Sequence, residues 1–336
     1  MEMIVQDTSY QMNLVSVQGE LLWKKQLANK IIGNVYQVDY YKNNKLQYLF
    51  STQDAIHIID RTGTYVPGYP LQLPSQSKIS KLSLIDYDNS KNYRIMVATR
   101  KGQYYLHDKS GRRLEGWNPN DLAGIPAMPG EHLRIRNRDH LIFLSERGVI
   151  NVLNRRGNAR RGFPVNLNSS VRNPVFINRG TNDENTTLSV LLDEGVIIDI
   201  NLRGQTTKRE HIYKATTNDQ YKLAISSNKR SFVILRFDEN SASILDQDGK
   251  ELFQHVYAPS DEMGVKYYNF GNNNEIIIIT DRLQEVTYLY DKNGNLMHHK
   301  PLNTGHDISL LYYENENMYR LYTTFENQLH TLSLSR

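Results

Sequence analysis

The chain has 336 residues, no cysteine and a formal net charge of +4. Without cysteine there is no disulfide, no thiolate nucleophile and no cysteine-ligated zinc. A charge this mild implies neither nucleic acid nor a membrane surface as partner, and no apolar run is long enough to cross a bilayer.

Short strand-like runs rich in Tyr, Ile, Leu and Val follow one another from the first residues, punctuated by turns, and hardly any segment has helical periodicity. The turn that recurs is Asp/Asn-x-x-Gly, at Asp60 to Gly63, Asp108 to Gly111, Asn154 to Gly157, Asn201 to Gly204, Asp246 to Gly249 and Asp291 to Gly294, with a weaker copy ending at Gly19. These glycines are separated by 44, 48, 46, 47, 45 and 45 residues. Asp or Asn at the first position accepts a hydrogen bond from the backbone two residues on, and Gly at the fourth takes the left-handed conformation that reverses the chain, so each copy predicts a hairpin. A fixed period of this length with β patterning inside it predicts a propeller.

Each period reads as three strands before the glycine turn (A, B, C) and one after it (D). The N-terminal piece supplies B at Ile4-Val5, C at Met12 to Val17 and D at Leu21 to Trp23, without an A strand. The next periods place A, B, C and D at 35–40, 47–51, 55–59 and 64–71, then at 82–85, 93–98, 103–107 and 112–117. The fourth follows at 133–135, 141–144, 149–153 and 159–165, and the fifth at 174–177, 188–192, 196–200 and 205–212. The sixth is expected at 222–225, 232–237, 242–245 and 251–256, the seventh at 265–269, 275–280, 286–290 and 295–302. A last period supplies A, B and C at 308–313, 318–323 and 329–334.

Eight C strands predict an all-β fold, a β-propeller of four-stranded antiparallel blades. Eight blades are favoured, the first lacking its inner strand and the last its outer one. Seven is the alternative, with Leu21 to Lys24 completing the C-terminal blade. No linker interrupts the period, so residues 1–336 are expected to form a single propeller domain, one excised from a longer chain. Aromatic rings recur on D: Tyr69, Trp117 and Phe163 stand six residues after the turn glycine, Trp23 and Phe253 four after it. They are expected to wedge between blades.

Gly19-Glu20-Leu21-Leu22-Trp23 is similar to the turn-to-outer-strand signature of quinoprotein-like propellers, the family that includes pyrroloquinoline-quinone alcohol dehydrogenases and the outer-membrane barrel-assembly lipoprotein. The eight blades common in that family agree with the strand count. Asp60-x-x-Gly63 to Gly68-Tyr69-Pro70, and Asn154-x-x-Gly157 to Gly162-Phe163-Pro164, resemble the repeat of integrin-like propellers. Gly19 to Trp23, Leu46 to Phe50, Ile59-Asp60-Arg61 and Asp86-Tyr87-Asp88 with Tyr93-Arg94 resemble the C-terminal propeller of large cell-envelope proteins of Bacteroidota. That resemblance implies a periplasmic or cell-envelope compartment rather than an activity.

No catalytic set accompanies the architecture. The vicinal disulfide of quinoprotein dehydrogenases is impossible here, so no cofactor is expected. Asp86 to Ser90 and Asp246 to Gly249 lack the full ligand set of a calcium loop and read as plain turns, and no metal is expected. His298-His299 lies on a predicted D strand, where neighbours point to opposite faces, and His57 and His107 in C strands are expected to be packed or hydrogen-bonded. One stretch, Glu131 to Val165, is strongly basic. Its Arg134, Arg136, Arg138, Arg155, Arg156, Arg160 and Arg161 are the candidate partner-binding residues, with Arg134 and Arg136 placed by strand alternation on one face of an A strand. The reading is a non-catalytic binding or scaffolding propeller that is monomeric, engages a protein partner, and neither binds nucleic acid nor inserts in a membrane. The alternative is a ligand-binding or enzymatic propeller with its site at the channel mouth.

Overall fold

The computed structural model describes residues 2–74, 77–212, 219–256, 260, 262–305, 308–326 and 328–336. It is an all-β, eight-bladed β-propeller whose eight antiparallel sheets follow the chain in order, six of them four-stranded and the first and last three-stranded. The seven-blade alternative is excluded by pairing: Leu21–Gln26 lies antiparallel to Gln11–Ser16, with Leu14 opposite Trp23, and so closes the first sheet rather than the last.

Two compact units divide the chain, Met1–Arg172 with Gly180–Thr186 and Asn201–Gln205, and Asn173–Arg179 with Thr187–Ile200 and Thr206–Arg336. Within each, apolar side chains of successive sheets interdigitate. In the first unit Val38, Leu49, Ile56 and Ile58 of the second blade share a buried cluster with Leu82, Ile95, Val97 and Tyr105 of the third. In the second unit Val233, Leu235 and Ile244 of the sixth blade meet Ile277, Ile279 and Tyr290 of the seventh. The middle strands are covered on both faces, so Gln47–Ser51 and Ala55–Ile59 are buried throughout. That two-sided burial is why Gln47, Ser51 and His57 are buried alongside the apolar residues of these strands.

The turn behaves as its chemistry demands. Asp60 Oδ1 accepts from the amides of Thr62 (2.8 Å) and Thr64 (3.0 Å), and Asn154 Oδ1 from those of Arg156 (2.8 Å) and Asn158 (3.1 Å). Its glycine has a second duty, which is to lie against the outer strand of the preceding blade. Gly63 sits under Trp23, Gly111 under Leu71, Gly249 under Ile212 and Gly294 under Phe253. At Gly157, where φ is +80°, a Cβ would come within 2.5 Å of Asn120 Nδ2 and 2.7 Å of the Gly116 carbonyl oxygen, so both the backbone angle and the space require glycine. At Gly19 a Cβ would meet open space.

The outer strands depart from expectation. In the second, third, fourth and seventh blades D is broken: after one bridge (Ile59 to Tyr65, His107 to Arg113, Leu153 to Ala159, Tyr290 to Leu296) the chain loops out and pairs again only at Leu71–Gln72, Asn120–Asp121, Val165–Asn166 and Leu302–Asn303. His298 and His299 therefore lie in a bend and not on a strand. Continuous outer strands occur at Leu21–Gln26, Thr206–His211 and Glu251–Val256, each with a register shift. Six residues from glycine to ring belong to the broken form, four to the continuous one. The rings do wedge between blades: Trp117 is fully buried, and its Nε1 donates to the Arg155 carbonyl of the next blade's turn at 2.9 Å. Tyr69 Oη donates to the Lys109 carbonyl at 2.9 Å, and Trp23 Nε1 to the Arg61 carbonyl at 2.8 Å.

Candidate functional site

In an antiparallel four-stranded blade the A–B and C–D connections leave from the same end. The basic stretch is concentrated at that end, in the first unit. The fourth blade opens with Glu131–Ile135 and Arg138–Leu144, joined by the two-residue turn Arg136-Asn137, whose φ values of +45° and +63° match the hairpin turn that twists with its strands. Arg136 is thus at a turn tip, not on the A strand. The expectation that it shares a strand face with Arg134 is corrected, because the hairpin is tighter than the loop read from sequence.

Asp139 organises this end. It is buried at the head of Arg138–Leu144, and all three of its oxygens are used. Oδ2 accepts from Arg155 Nε at 2.6 Å, Oδ1 is 2.8 Å from His132 Nε2, and the carbonyl accepts from Arg160 Nη2 at 2.6 Å. A buried carboxylate is tolerable only when paired in this way. Arg155 also reaches the A–B loop of the third blade, where its Nη2 is 3.1 Å from Asp88 Oδ1 and its guanidinium lies 4.1 Å from the centre of the Tyr87 ring. Arg134 Nη1 bonds the same Asp88 oxygen and, at 3.2 Å, the Tyr87 carbonyl. Arg155 first and Arg134 second hold Asp88 below the ordinary carboxylate range. The Tyr87 ring stands edge-on to His132 at 4.9 Å, and burial pushes its hydroxyl up to about 12.

The remaining groups face outward or toward the loop 180–186. Arg138 is exposed, its Nη1 4.0 Å from Asp183 Oδ2, and the buried His140 Nε2 is 3.5 Å from Asp183 Oδ1. Burial holds His140 below the usual imidazole value and outweighs Asp183. Arg136, Arg156 and Arg161 are exposed, and among the described residues no carboxylate pairs with them. The seven candidates therefore divide. Arg134, Arg155 and Arg160 are bound into the network, Arg138 lies beside Asp183, and three stand free at the surface.

Sequence reasoning missed Tyr87, His132, Asp139 and Asp183 as members of this group. One signal was available: a carboxylate and a histidine, Asp139-His140, at the head of the apolar run Leu141-Ile142-Phe143-Leu144. In the Asp86 loop Oδ1 and Oδ2 accept from the amides of Ser90 and Lys91 at 3.0 and 2.8 Å. Asp246 Oδ1 is likewise taken by the amides of Asp248 and Lys250.

No family model matches the chain, and no curated protein does. Among solved structures it is similar to BamB from Moraxella catarrhalis, with a TM-score of 0.59 and 14% identity over 99% of this chain and 93% of that one. It is similar also to the dihydro-heme d1 dehydrogenase NirN in complex with DHE, with a TM-score of 0.56 and 11% identity over 99% and 73%. BBS1N, solved in complex with ARL6DN, gives 0.55 and 11% over 84% and 85%. Identities this low establish a shared β-propeller fold and nothing beyond it.

Proposed function

We propose that this chain is a non-catalytic scaffolding propeller of the cell envelope, and that the A–B and C–D loop end of its third and fourth blades docks an acidic face of a partner protein. The observation that carries this reading is the set of exposed guanidinium groups of Arg136, Arg156 and Arg161 beside a network already ion-paired through Asp88 and Asp139. The paired arginines tie the loops of this end to one another, and the free ones offer planar, multiply donating cations to a partner. Arginine is enriched at the energetic centres of protein interfaces for this reason.

A scaffolding role is supported by how the titratable groups of this end are spent. Both carboxylate oxygens of Asp139 are engaged by other side chains, and burial holds His140 below the usual imidazole value. The envelope compartment rests on the sequence resemblance to Bacteroidota envelope proteins and on the fold-level likeness to BamB. The test is charge reversal at the free positions. The combined variant R136E/R156E/R161E is expected to keep its melting temperature and to lose capture of the partner from solubilised envelope extract, with wild-type capture weakening as salt is raised. Undiminished capture by the variant would refute this end as the interface.

A further inference from the structure

The A–B loops of the second and third blades, 39–46 and 86–93, are clasped together. Lys42 Nζ donates to Asn92 Oδ1 at 2.8 Å, and in return Lys91 Nζ donates to Asn44 Oδ1 at 3.0 Å and to the buried carboxylate of Asp39. Lys42 and Lys91 stand at φ values of +57° and +59°, where asparagine or glycine is at less cost, and the clasp is what each lysine side chain gains there. The same third-blade loop carries Tyr87 and Asp88, which Arg155 and Arg134 bind from the fourth blade. One run of contacts therefore joins the loop ends of three blades.

The chemistry of this surface is one-sided. Its carboxylates close their own loops: Asp39 accepts from the amides of Asn43 and Asn44, Asp86 from those of Ser90 and Lys91, and Asp108 from those of Ser110 and Arg112. A lysine ammonium only donates, so Asn44 and Asn92 turn their amide oxygens to the lysines, and Asn43 gives its own to the Lys45 amide at 3.0 Å. What these exposed asparagines have left is the NH2 group, and with the ammonium groups beside them they make a surface of donors.

The clasp does not account for Tyr41. Its ring is 51% exposed and stands edge-on to Tyr40 at 4.9 Å, and Leu46 on the same loop is 43% exposed. Tyr40 is itself held, its amide donating to Gln47 Oε1 and its carbonyl accepting from Lys109 Nζ of the third blade's turn, both at 2.7 Å. An exposed tyrosine ring among cations has the composition of an interface centre.

We propose that Tyr41, with Leu46, is the apolar anchor of the docking end, and that it takes an apolar side chain flanked by Asp or Glu on a segment of the partner protein. Charge complementarity selects this occupant. Carboxylates bring acceptors alone to a surface of donors, whereas the hydroxyl groups of a neutral sugar would also need acceptors that these asparagines and lysines do not offer. The inference rests on the reading above for the acidic class of the partner, and it extends the contact from the third and fourth blades to the second.

The probe is a fluorescent peptide, Asp-Glu-Asp-Leu-Phe-Asp-Glu-Asp, titrated with the full chain and followed by anisotropy. Saturable binding is expected, weakened roughly tenfold or more by Tyr41→Ala and by exchanging the Leu-Phe of the peptide for Ala-Ala, and lost when its acids become Asn and Gln. Maltohexaose is expected not to compete. Tyr41→Ala should keep the wild-type melting temperature, and if it does not, the Ala-Ala peptide against the wild type decides. No binding, binding indifferent to the apolar pair, or displacement by maltohexaose would each overturn the proposal. The variant R136E/R156E/R161E separates the two readings. If it binds the peptide as the wild type does while Tyr41→Ala does not, the anchor stands and the arginine-bearing loops leave the interface. If it alone loses the peptide, the arginine-bearing loops stand and the anchor is refuted.

Discussion

The outer strands of the first and third blades perform one task on two different backbones. Trp23 stands on the continuous strand Leu21–Gln26 and Trp117 in a looped-out segment, yet each indole donates to the second carbonyl of the following blade's turn, Arg61 at 2.8 Å and Arg155 at 2.9 Å. What differs is cover. Trp117 is fully buried against Leu106 and Phe143, while Trp23 is half-exposed. The chain thus preserves a contact, ring over turn, and lets the path that delivers it vary.

The contrast can be broken most severely at the rings. Trp117→Ala is expected to cost about 3–5 kcal/mol in urea unfolding, as other buried large-to-small changes do, and Trp23→Ala markedly less. Equal losses would mean that cover does not matter. The turn glycines sharpen the same comparison. Gly157→Ala meets both the left-handed backbone and the Gly116 carbonyl and is expected to cost about 2–4 kcal/mol, while Gly19→Ala, with open space, pays about 1 kcal/mol for the backbone alone.

Two broken blades also hold a buried histidine in the C strand, and these set a pH dependence. His57 lies parallel to Phe50 at 4.8 Å, with Thr52 Oγ1 and Tyr65 Oη on its nitrogens at 3.1 and 3.0 Å, and His107 is equally enclosed. Burial lowers both to about 4. Between that value and the unfolded 6.5 the unfolded chain binds more protons, so stability is full above pH 6.5 and falls as pH drops toward 4. From pH 7.5 to 5 each histidine is expected to remove roughly 2 kcal/mol, and His57→Gln should flatten the curve by about half of the pair's share. A curve unchanged by both His57→Gln and His107→Gln would refute the assignment. The smallest effect tests the shared bond. Trp117→Phe and Trp23→Phe should each cost about 1 kcal/mol through the lost indole donor, similar in the two blades despite their different cover.

The period of the Asp/Asn-x-x-Gly turn was legible because it is local: one side-chain oxygen and one left-handed residue determine it. The blade count followed from the C strands, which are short apolar-rich stretches such as Ala55–Ile59 set just before the turn. The broken outer strands were less legible. Their clue, a ring six residues after glycine instead of four, was visible, but the loop that produces it is shaped by the next blade's turn. The arginine-bearing end was legible as charge and not as structure, because Asp139 draws its partners from residues 7, 16 and 21 positions away and shares Arg155 with Asp88, 67 positions distant from it. No local pattern records which arginines such a carboxylate will claim. Arg136 was misplaced for a simpler reason: a two-residue turn without glycine hides inside what reads as a longer polar loop.

The ring-to-turn bonds run one way along the chain. Each ring precedes its acceptor by about forty residues, 38 for Trp23 and Trp117 and 40 for Tyr69. During synthesis at roughly 5–20 residues per second, a finished blade therefore keeps its aromatic side chain unmoored for some seconds, until the following corner leaves the ribosome and latches it. Assembly of the first three blades is in this sense a relay, in which every member is secured by its successor.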